Sequence, residues 1–407
     1  MRNKRAIGFA PPPIDEDTIT AVEKVLRSGW ITSGPELLNF ESELADYLNV
    51  KYIACFSSWT AACELALRWF DIGPGDEVIL PAMTYAATAN IVLHCGATPV
   101  LVDIQPHEPV VSADAIKLAW TARTKAIMPV DIGGWPVDYQ AIMDWLNSSD
   151  VRSSFIPKGP NQAKLGRPLF LSDAAHSFGA TIDEIPVGSQ ADITGFSFHA
   201  VKNLTTAEGG ALAFALPAEF DMTETMKWFK SMSLHGQSKS ALEKTESGNW
   251  QYDVLDAGFK CNMTDIQAAI GRSQLIKYPE QLLRRQAIAF RYHHGFENET
   301  WYHGPPLKDG RRLSAFHLFQ IRIKNFTSRQ RNEVMKSLKT IGIPTNVHFI
   351  PLPGLTIHKR RGEHMETYPN AQQFYEESLS LPIHLGLSDE DVDWIVSSVI
   401  ETVEAHL

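Results

Sequence analysis

Tyr52-Ile53-Ala54-Cys55-Phe56-Ser57-Ser58-Trp59-Thr60 is an unbroken apolar run that ends in small hydroxyl residues and leads into a helical stripe over 60–70. The same unit recurs along the chain. Apolar runs at Glu77–Leu80, Pro99–Ile104, Lys125–Val130, Pro168–Ser172, Ile193–His199 and Gly210–Ala215 alternate with helical patterns at 85–95, 112–121 and 137–147. Strands that are apolar on both faces and separated by helices predict an α/β fold with a mostly parallel sheet covered on both sides. Ligands of such sheets sit beyond the carboxyl ends of the strands. That places Ser57-Ser58-Trp59-Thr60, Thr84-Tyr85, Asp173 to His176, and Lys202 at the candidate site.

Upstream, Ile19, Val22, Val25 and Leu26 repeat at helical spacing, and Gly29 is placed as a stop. The loop Gly29-Trp30-Ile31-Thr32-Ser33-Gly34-Pro35 reads either as a helix connector or as a backbone-rich ligand loop, and Pro35 opens the next helix. The polar segments 148–167 and 236–250 read as excursions. Past about residue 270 the pattern becomes a long helix over 263–300, a strand Phe316–Ile323, a helix 327–340, a strand Thr345–Ile350, and helices near 370–379 and after Ser388. We therefore expect a large domain over 1–270 and a smaller α+β domain over 271–407.

The chain has 407 residues and a formal net charge of −10, which argues against nucleic acid as a partner. Cys55, Cys63, Cys95 and Cys261 form no CxxC pair and read as reduced, buried thiols, with no metal site. No apolar stretch follows the basic Met1–Arg5, and no run reaches membrane-span length, so a cytoplasmic location with no membrane partner is expected.

Chemistry concentrates in Phe196-Ser197-Phe198-His199-Ala200-Val201-Lys202-Asn203. A desolvated lysine loses its proton more readily and can form a Schiff base with a carbonyl, whereas a solvated strand-end lysine would do nothing. Asp173 after its strand is either a helix cap or a carboxylate that holds a pyridinium nitrogen protonated. Ser58 and Thr60 can seat a phosphate at a helix start, and Tyr85 can stack on an aromatic cofactor or belong to the core. Together these are the parts of a pyridoxal phosphate site.

These motifs, with Ser28-Gly29-Trp30-Ile31-Thr32-Ser33-Gly34-Pro35, Gly73-Pro74-Gly75-Asp76-Glu77-Val78-Ile79, Gly96-Ala97-Thr98-Pro99-Val100 and Asp173-Ala174-Ala175-His176, resemble the sugar aminotransferases of the DegT/DnrJ/EryC1/StrS family. The resemblance runs almost end to end and implies the aspartate aminotransferase fold, with pyridoxal 5'-phosphate as cofactor. Phe198 to Asn203 with Ala207-Glu208-Gly209-Gly210 is most similar to the branch that aminates C4 of nucleotide-linked 4-keto sugars. The resemblance implies that Lys202 is catalytic and carries the cofactor. By the same resemblance Asp173 pairs with the pyridine nitrogen, His176 lies near the ring, Tyr85 stacks on it, and Ser58, Thr60 and Ser197 hold the phosphate. Trp59 stands beside that seat where the family often has glycine. Glutamate is the implied amino donor, and a homodimer with shared sites is the implied assembly. The partner-contacting region corresponds to Asn249 through Met263, with Asn249 and Lys260 as cofactor contacts; Gly258-Phe259-Lys260-Cys261-Asn262 stands where the family frequently has Gly-x-Asn-x-Arg.

The expected sugar pocket comprises Trp30, Thr32, Ser33, Gly34, His199, Thr205 and His348. The preferred substrate is a UDP-2-acetamido-4-keto-2,4,6-trideoxyhexose, ahead of UDP-4-keto-pentose and dTDP-4-keto-6-deoxyglucose, for surface polysaccharide or glycan biosynthesis. Two alternatives stand beside this reading: a nucleotide-sugar dehydratase of the same family, in which a histidine replaces the lysine, and a non-catalytic sensor on the same fold. A plain nucleotide-binding α/β domain is disfavoured, because no GxGxxG or GxxxxGK[ST] loop follows any strand of this sequence.

Overall fold

The structure is a computed structural model that describes residues 7–239, 242 and 250–407. The basic start Met1–Arg5 and Asn249 lie outside the described residues. Two helices precede the sheet, α1 (Glu16–Ser28) and α2 (Pro35–Leu48). The Asp15 side chain caps α1 through the Thr18 N–H at 2.9 Å, and Gly29, at φ 75°, ends it in the left-handed region that favours glycine.

The alternating part follows as β1 (Tyr52–Phe56), α3 (Trp59–Trp69), β2 (Glu77–Pro81), α4 (Ala86–His94), β3 (Thr98–Val102), α5 (Ala113–Ala119), β4 (Thr124–Ile127) and α6 (Tyr139–Leu146). The 148–167 excursion is two short helices, α7 (Ser149–Ser154) and α8 (Pro160–Leu165). Lys125 anchors it: its ammonium donates to the carbonyls of Ala122 and Ile156 at 2.9 and 2.7 Å. Then come β5 (Leu169–Asp173), a small hairpin of β6 (Thr181–Ile182) and β7 (Ile185–Pro186), β8 (Ile193–Ser197), β9 (Gly210–Phe214) and α9 (Met222–Met232).

The strands assemble into a seven-stranded sheet of order β1-β9-β8-β5-β4-β2-β3. Only β9 runs against its neighbours, pairing antiparallel with both β1 and β8. Period-two alternation splits each strand between two cores. Val78, Leu80, Leu171 and Leu212 face α3, α4 and α9, while Ile79, Phe170, Phe196 and Ala211 face α2, α6 and the long helix.

That helix, α10 (Asp265–Phe296), begins at a capping box between Thr264 and Gln267. Its first half, through Ala268, Leu275 and Tyr278, packs under the sheet. Its second half, through Ile288, Tyr292 and Phe296, packs on a second sheet. The expected division at residue 270 therefore falls inside one continuous helix. The C-terminal elements are β10 (Tyr302–His303), β11 (Arg312–Leu313), β12 (Phe319–Ile323), α11 (Ser328–Thr340), α12 (Thr356–Arg360), α13 (Pro369–Glu377), β13 (Ser378–Leu381) and α14 (Asp389–Glu404). β12 is the centre of an antiparallel sheet of order β10-β12-β13.

The expected strand at Thr345–Ile350 is absent; that segment meets β13 at Ser380, through a single Asn346–Ser380 bridge and the His348 ring at 2.8 Å from the Ser380 hydroxyl. Prolines at 344, 351 and 353 flank it and cannot donate to a ladder. Phe349 instead turns toward the large sheet, 5.5 Å from Tyr85 and 5.9 Å from His176 between ring centroids. β8 is also shorter than its apolar run. Beyond Ser197 the chain bends, with the Lys202 N–H donating to the His199 carbonyl at 2.9 Å. Ser197 and His199 therefore do not share a regular strand face.

Candidate active site

The carboxyl ends of β1, β2, β5 and β8 converge, as alternating α/β connections dictate, on one side of the large sheet. Lys202 follows β8 and is half-buried. Desolvation pulls its pKa down to about 8 against the opposing pull of the Asp173 carboxylate. Asp173 closes β5 and is 4% exposed. Burial pushes its carboxyl up to about 6, although the Thr88 hydroxyl donates to Oδ2 at 2.8 Å, the Ala175 N–H donates to Oδ1 at 3.2 Å, and Lys202 adds its charge. Among the described residues no cation lies within ion-pair distance of this carboxylate, and a protonated ring nitrogen would supply one. Thr84, bonded to Thr88 at 2.8 Å, extends this chain of hydroxyls.

A second carboxylate lies beside the first. Asp131 follows β4, and its N–H donates to the Asp173 carbonyl at 3.0 Å. It is fully buried, accepting from the Val137 N–H at 2.9 Å, the Tyr139 hydroxyl at 2.7 Å and the Ser177 hydroxyl at 2.6 Å. Desolvation outweighs these bonds and pushes its pKa up to about 7. The turn it opens presents the Gly133 N–H to His176 Nδ1 at 3.2 Å. His176 therefore accepts at Nδ1 and carries its proton on Nε2. Burial, helped by the charge of Lys202, holds its pKa well below the ordinary value.

The phosphate seat is expected at the start of α3. Ser58 caps the helix through the Ala61 N–H at 3.1 Å, and the N–H groups of Trp59 and Thr60 have no partner among the described residues. The Trp59 ring turns away from this end into the core, 5% exposed, beside Gly195 and Cys63. Only its backbone faces the seat. Gly210 comes so close that a Cβ there would lie 2.3 Å from the Trp59 nitrogen. Ser197 ends β8 on the same side and accepts from the His199 N–H at 3.4 Å.

The other expected contacts are distributed unevenly. Tyr85 is 61% exposed at the head of α4, facing Phe349. His199 is exposed and lies 3.6 Å from Glu208. Thr205 is buried, and its hydroxyl donates to the Phe198 carbonyl and accepts from the Ala207 N–H, so it is occupied within the loop. Trp30, Thr32, Ser33 and Gly34 form one unit with the segment before α10. The Trp30 indole donates to the Ser33 carbonyl, the Ser33 hydroxyl donates to the Met263 carbonyl, and Thr32 accepts from the Asp265 N–H. Asn262 donates to Ser33 at 2.7 Å and also holds the exposed Lys260. His348 accepts at Nε2 from Asn346 at 3.4 Å and donates from Nδ1 to Ser380 at 2.8 Å; burial pulls its pKa to about 4.

Three residues that sequence reasoning passed over belong to this neighbourhood. Thr88 lies one turn into α4, where nothing but geometry connects it to Asp173. Asp131 follows the apolar run of β4 much as Asp173 ends the run of β5, and it comes level with Asp173 in space through its N–H bond to the Asp173 carbonyl. His317 packs on His176 with ring centroids 4.4 Å apart and bonds Asn203, the neighbour of Lys202, at 3.0 Å. It was hidden inside an apolar run that reads as strand.

Free N–H groups at a helix start, a buried carboxylate with no ion-pair partner among the described residues, and a lysine with a lowered pKa fit pyridoxal phosphate. Ser58, Thr60 and Ser197 would hold its phosphate, Asp173 its ring nitrogen, and Lys202 its carbonyl carbon.

The sequence profile of the DegT/DnrJ/EryC1/StrS aminotransferase family matches residues 12–152 and 163–400, breaking inside the α7–α8 excursion. The chain is 36% identical over 410 aligned residues to the spore coat polysaccharide biosynthesis protein SpsC of Bacillus subtilis, covering 99% of both. Among solved structures, the PMP-form of the putative sugar aminotransferase Spr1654 from Streptococcus pneumoniae is 43% identical, with a TM-score of 0.95 over 98% of this chain and 100% of that one. Helicobacter pylori PseC, an aminotransferase involved in the biosynthesis of pseudoaminic acid, is 29% identical with a TM-score of 0.84 over 98% and 100%. With the site geometry, these matches make the chain a pyridoxal-phosphate-dependent aminotransferase that belongs to the DegT/DnrJ/EryC1/StrS family.

Proposed function

We propose that the chain moves the amino group of glutamate to the C4 keto carbon of a nucleotide-linked, UDP-borne 4-keto-6-deoxy sugar, in surface polysaccharide or glycan biosynthesis. The observation that carries the amino-transfer chemistry is Lys202, half-buried with its pKa near 8 and within the field of buried Asp173. The names of SpsC and Spr1654 support the sugar. Bound pyridoxal phosphate supplies the electron sink that lets a carbon next to nitrogen lose its proton. This chain supplies the rest. In its neutral form Lys202 attacks a carbonyl carbon, and after release its amine takes and returns the proton that moves during transfer. Asp173 keeps the ring nitrogen protonated, and His176 offers its Nε2 proton beside the ring.

In the same reading Tyr85 covers the ring, Lys260 reaches toward a cofactor phosphate, Asn249, outside the described residues, is assigned the same role, and Trp59 contributes only its backbone. Trp30 to Gly34, His199 and His348 surround the sugar, and Thr205, bonded within its loop, holds the bend beside them. The assembly is a cytoplasmic homodimer with shared sites; exposed Leu26, Ile276 and Leu283 on α1 and α10 offer apolar surface that a second copy would cover. Lys202 favours transfer over the dehydratase alternative. The test is to mix the holoenzyme with glutamate and a panel of UDP- and dTDP-linked 4-keto and 3-keto sugars, following 2-oxoglutarate and the aminated sugar. Conversion of a UDP-4-keto sugar is expected; conversion of none, or of 3-keto sugars alone, overturns the proposal.

A further inference from the structure

His317 stands at the wall of a cleft also lined by Phe9, Val201, Leu318, Asn346 and His348, and the charge of Lys202 acts on its ring. Its direction of hydrogen bonding can be read from its neighbours. The Asn203 amide nitrogen donates to the Ala315 carbonyl at 2.7 Å, which leaves the Asn203 oxygen facing His317 Nδ1 at 3.0 Å. An oxygen there accepts, so Nδ1 carries the proton. In the neutral ring, Nε2 is then a bare lone pair.

The surroundings keep that ring neutral and still. It is 6% exposed and packs on His176 at 4.4 Å. Its backbone N–H and that of Leu318 both donate to the Gly133 carbonyl at 3.1 Å. The charges of Lys202 and Arg285 oppose its protonation. Nε2 has no partner among the described residues and is not among their fully enclosed unsatisfied atoms, so it reaches the cleft. Gly133 thus sets the two rings differently. Its N–H leaves the His176 proton on Nε2, and its carbonyl fixes the segment in which His317 shows a lone pair.

From this geometry we propose that His317 is a specificity-determining residue whose Nε2 accepts a hydrogen bond from a hydroxyl group of the sugar. The inference rests on the sugar reading above. A bare imidazole lone pair repels the carboxylates of an amino donor and the oxygens of a diphosphate, and it attracts only a ligand that carries donors. A site built for a hydroxyl also discriminates against an analogue that lacks it, because the acceptor is left dry and unpaired.

The test pairs variants with substrate analogues. The wild-type holoenzyme and H317F, which keeps an aromatic ring against His176, are assayed for kcat/KM on an accepted nucleotide keto sugar and on its monodeoxy analogues. Calorimetric affinities for each sugar give a second readout. H317F should lose roughly tenfold or more on the parent sugar and almost nothing further on the one analogue that lacks the contacted hydroxyl. An equal loss on every sugar would overturn the proposal and make His317 a positioning residue for the Lys202 loop. If H317F does not fold, H317L, which also removes the acceptor, carries the same comparison. If the wild type releases 2-oxoglutarate from glutamate but aminates no sugar, the substrate reading has failed, whatever the variants do.

Discussion

His176 and His317 face each other with ring centroids 4.4 Å apart and planes inclined by 43°, each fixed at Nδ1 by a different partner. Gly133 donates to one ring and Asn203 accepts from the other. Two imidazolium rings at that distance would repel strongly, and burial pushes both pKa values well below the ordinary histidine range. Both rings should therefore stay neutral from about pH 6 to 8, with opposite tautomers. Nitrogen-15 histidine spectra across that range should show two rings that do not titrate, one protonated at Nε2 and the other at Nδ1. Because the unfolded chain takes up protons below about pH 6.5 and these rings do not, they remove stability as pH falls through that point.

Lys202 carries a related prediction. With a pKa near 8, its neutral fraction rises with pH and is nearly complete by about pH 9. The rate at which the apoprotein forms a covalent adduct with pyridoxal phosphate should climb through about pH 8 and then level off. An unperturbed lysine would keep climbing toward about pH 10. Borohydride reduction should place the added mass on Lys202. The K202A variant should show neither the adduct nor transamination.

How much of this was visible beforehand follows from the physics of each residue. Strands that are apolar on both faces announce a buried parallel sheet, and residues just past their ends announce the site; Asp173, Ser58 and Lys202 were legible on that rule. The helix start at Ser388 was legible too, since its cap bonds locally to the Asp391 N–H. What could not be read was decided by contacts distant in sequence. Thr88 meets Asp173 across 85 positions, and Asn203 meets His317 across 114. Thr205 looks like a free hydroxyl in sequence, yet the bend after β8 consumes it. Trp59 looks like an obstacle to phosphate until its ring is seen to turn into the core.

Asp131 should make stability depend on pH. Its carboxyl, ordinarily near 3.8, rises to about 7 when buried. Between those values the folded chain holds a proton that the unfolded chain has released, so stability falls as pH rises through about 4 to 7. Each tenfold difference in proton affinity between the two states corresponds to about 1.4 kcal/mol, so the total loss is a few kcal/mol. D131N cannot ionise and should lack this slope. Urea unfolding of the two apoproteins at several pH values checks it: the wild type should lose ground to D131N as pH rises, and parallel curves would refute the assignment.

Asp265 ties the loop of Trp30 to Gly34 to the start of α10. Its carboxylate accepts from the N–H groups of Gly34, Leu37 and Glu36 at 2.7, 3.1 and 3.2 Å, capping α2 from a distant part of the chain. D265A strands these donors at a buried helix end and should cost roughly 2 kcal/mol or more. D265N keeps one acceptor oxygen and should recover part of that loss in thermal unfolding.

Gly210 offers the sharpest test of the helix end that would seat the phosphate. It opens β9 and is paired on one side with Phe56 and on the other with Ser197. An added Cβ would lie 2.3 Å from the Trp59 nitrogen and 2.5 Å from the Ser58 carbonyl carbon. Both are backbone atoms at the first turn of α3, so no side chain can swing aside. Either β9 or the helix end must move, and β9 is held from both sides by ladder bonds. G210A should therefore displace the unpaired N–H groups of Trp59 and Thr60, costing roughly 1–3 kcal/mol as overpacking does. It should also weaken pyridoxal phosphate binding by about tenfold beyond the stability loss, as anion binding at a helix start depends on where those groups point. Gly310 is the control, since a Cβ there meets nothing within 4 Å. If absorbance titration finds cofactor affinity equal in G210A and G310A, the phosphate does not sit at the start of α3.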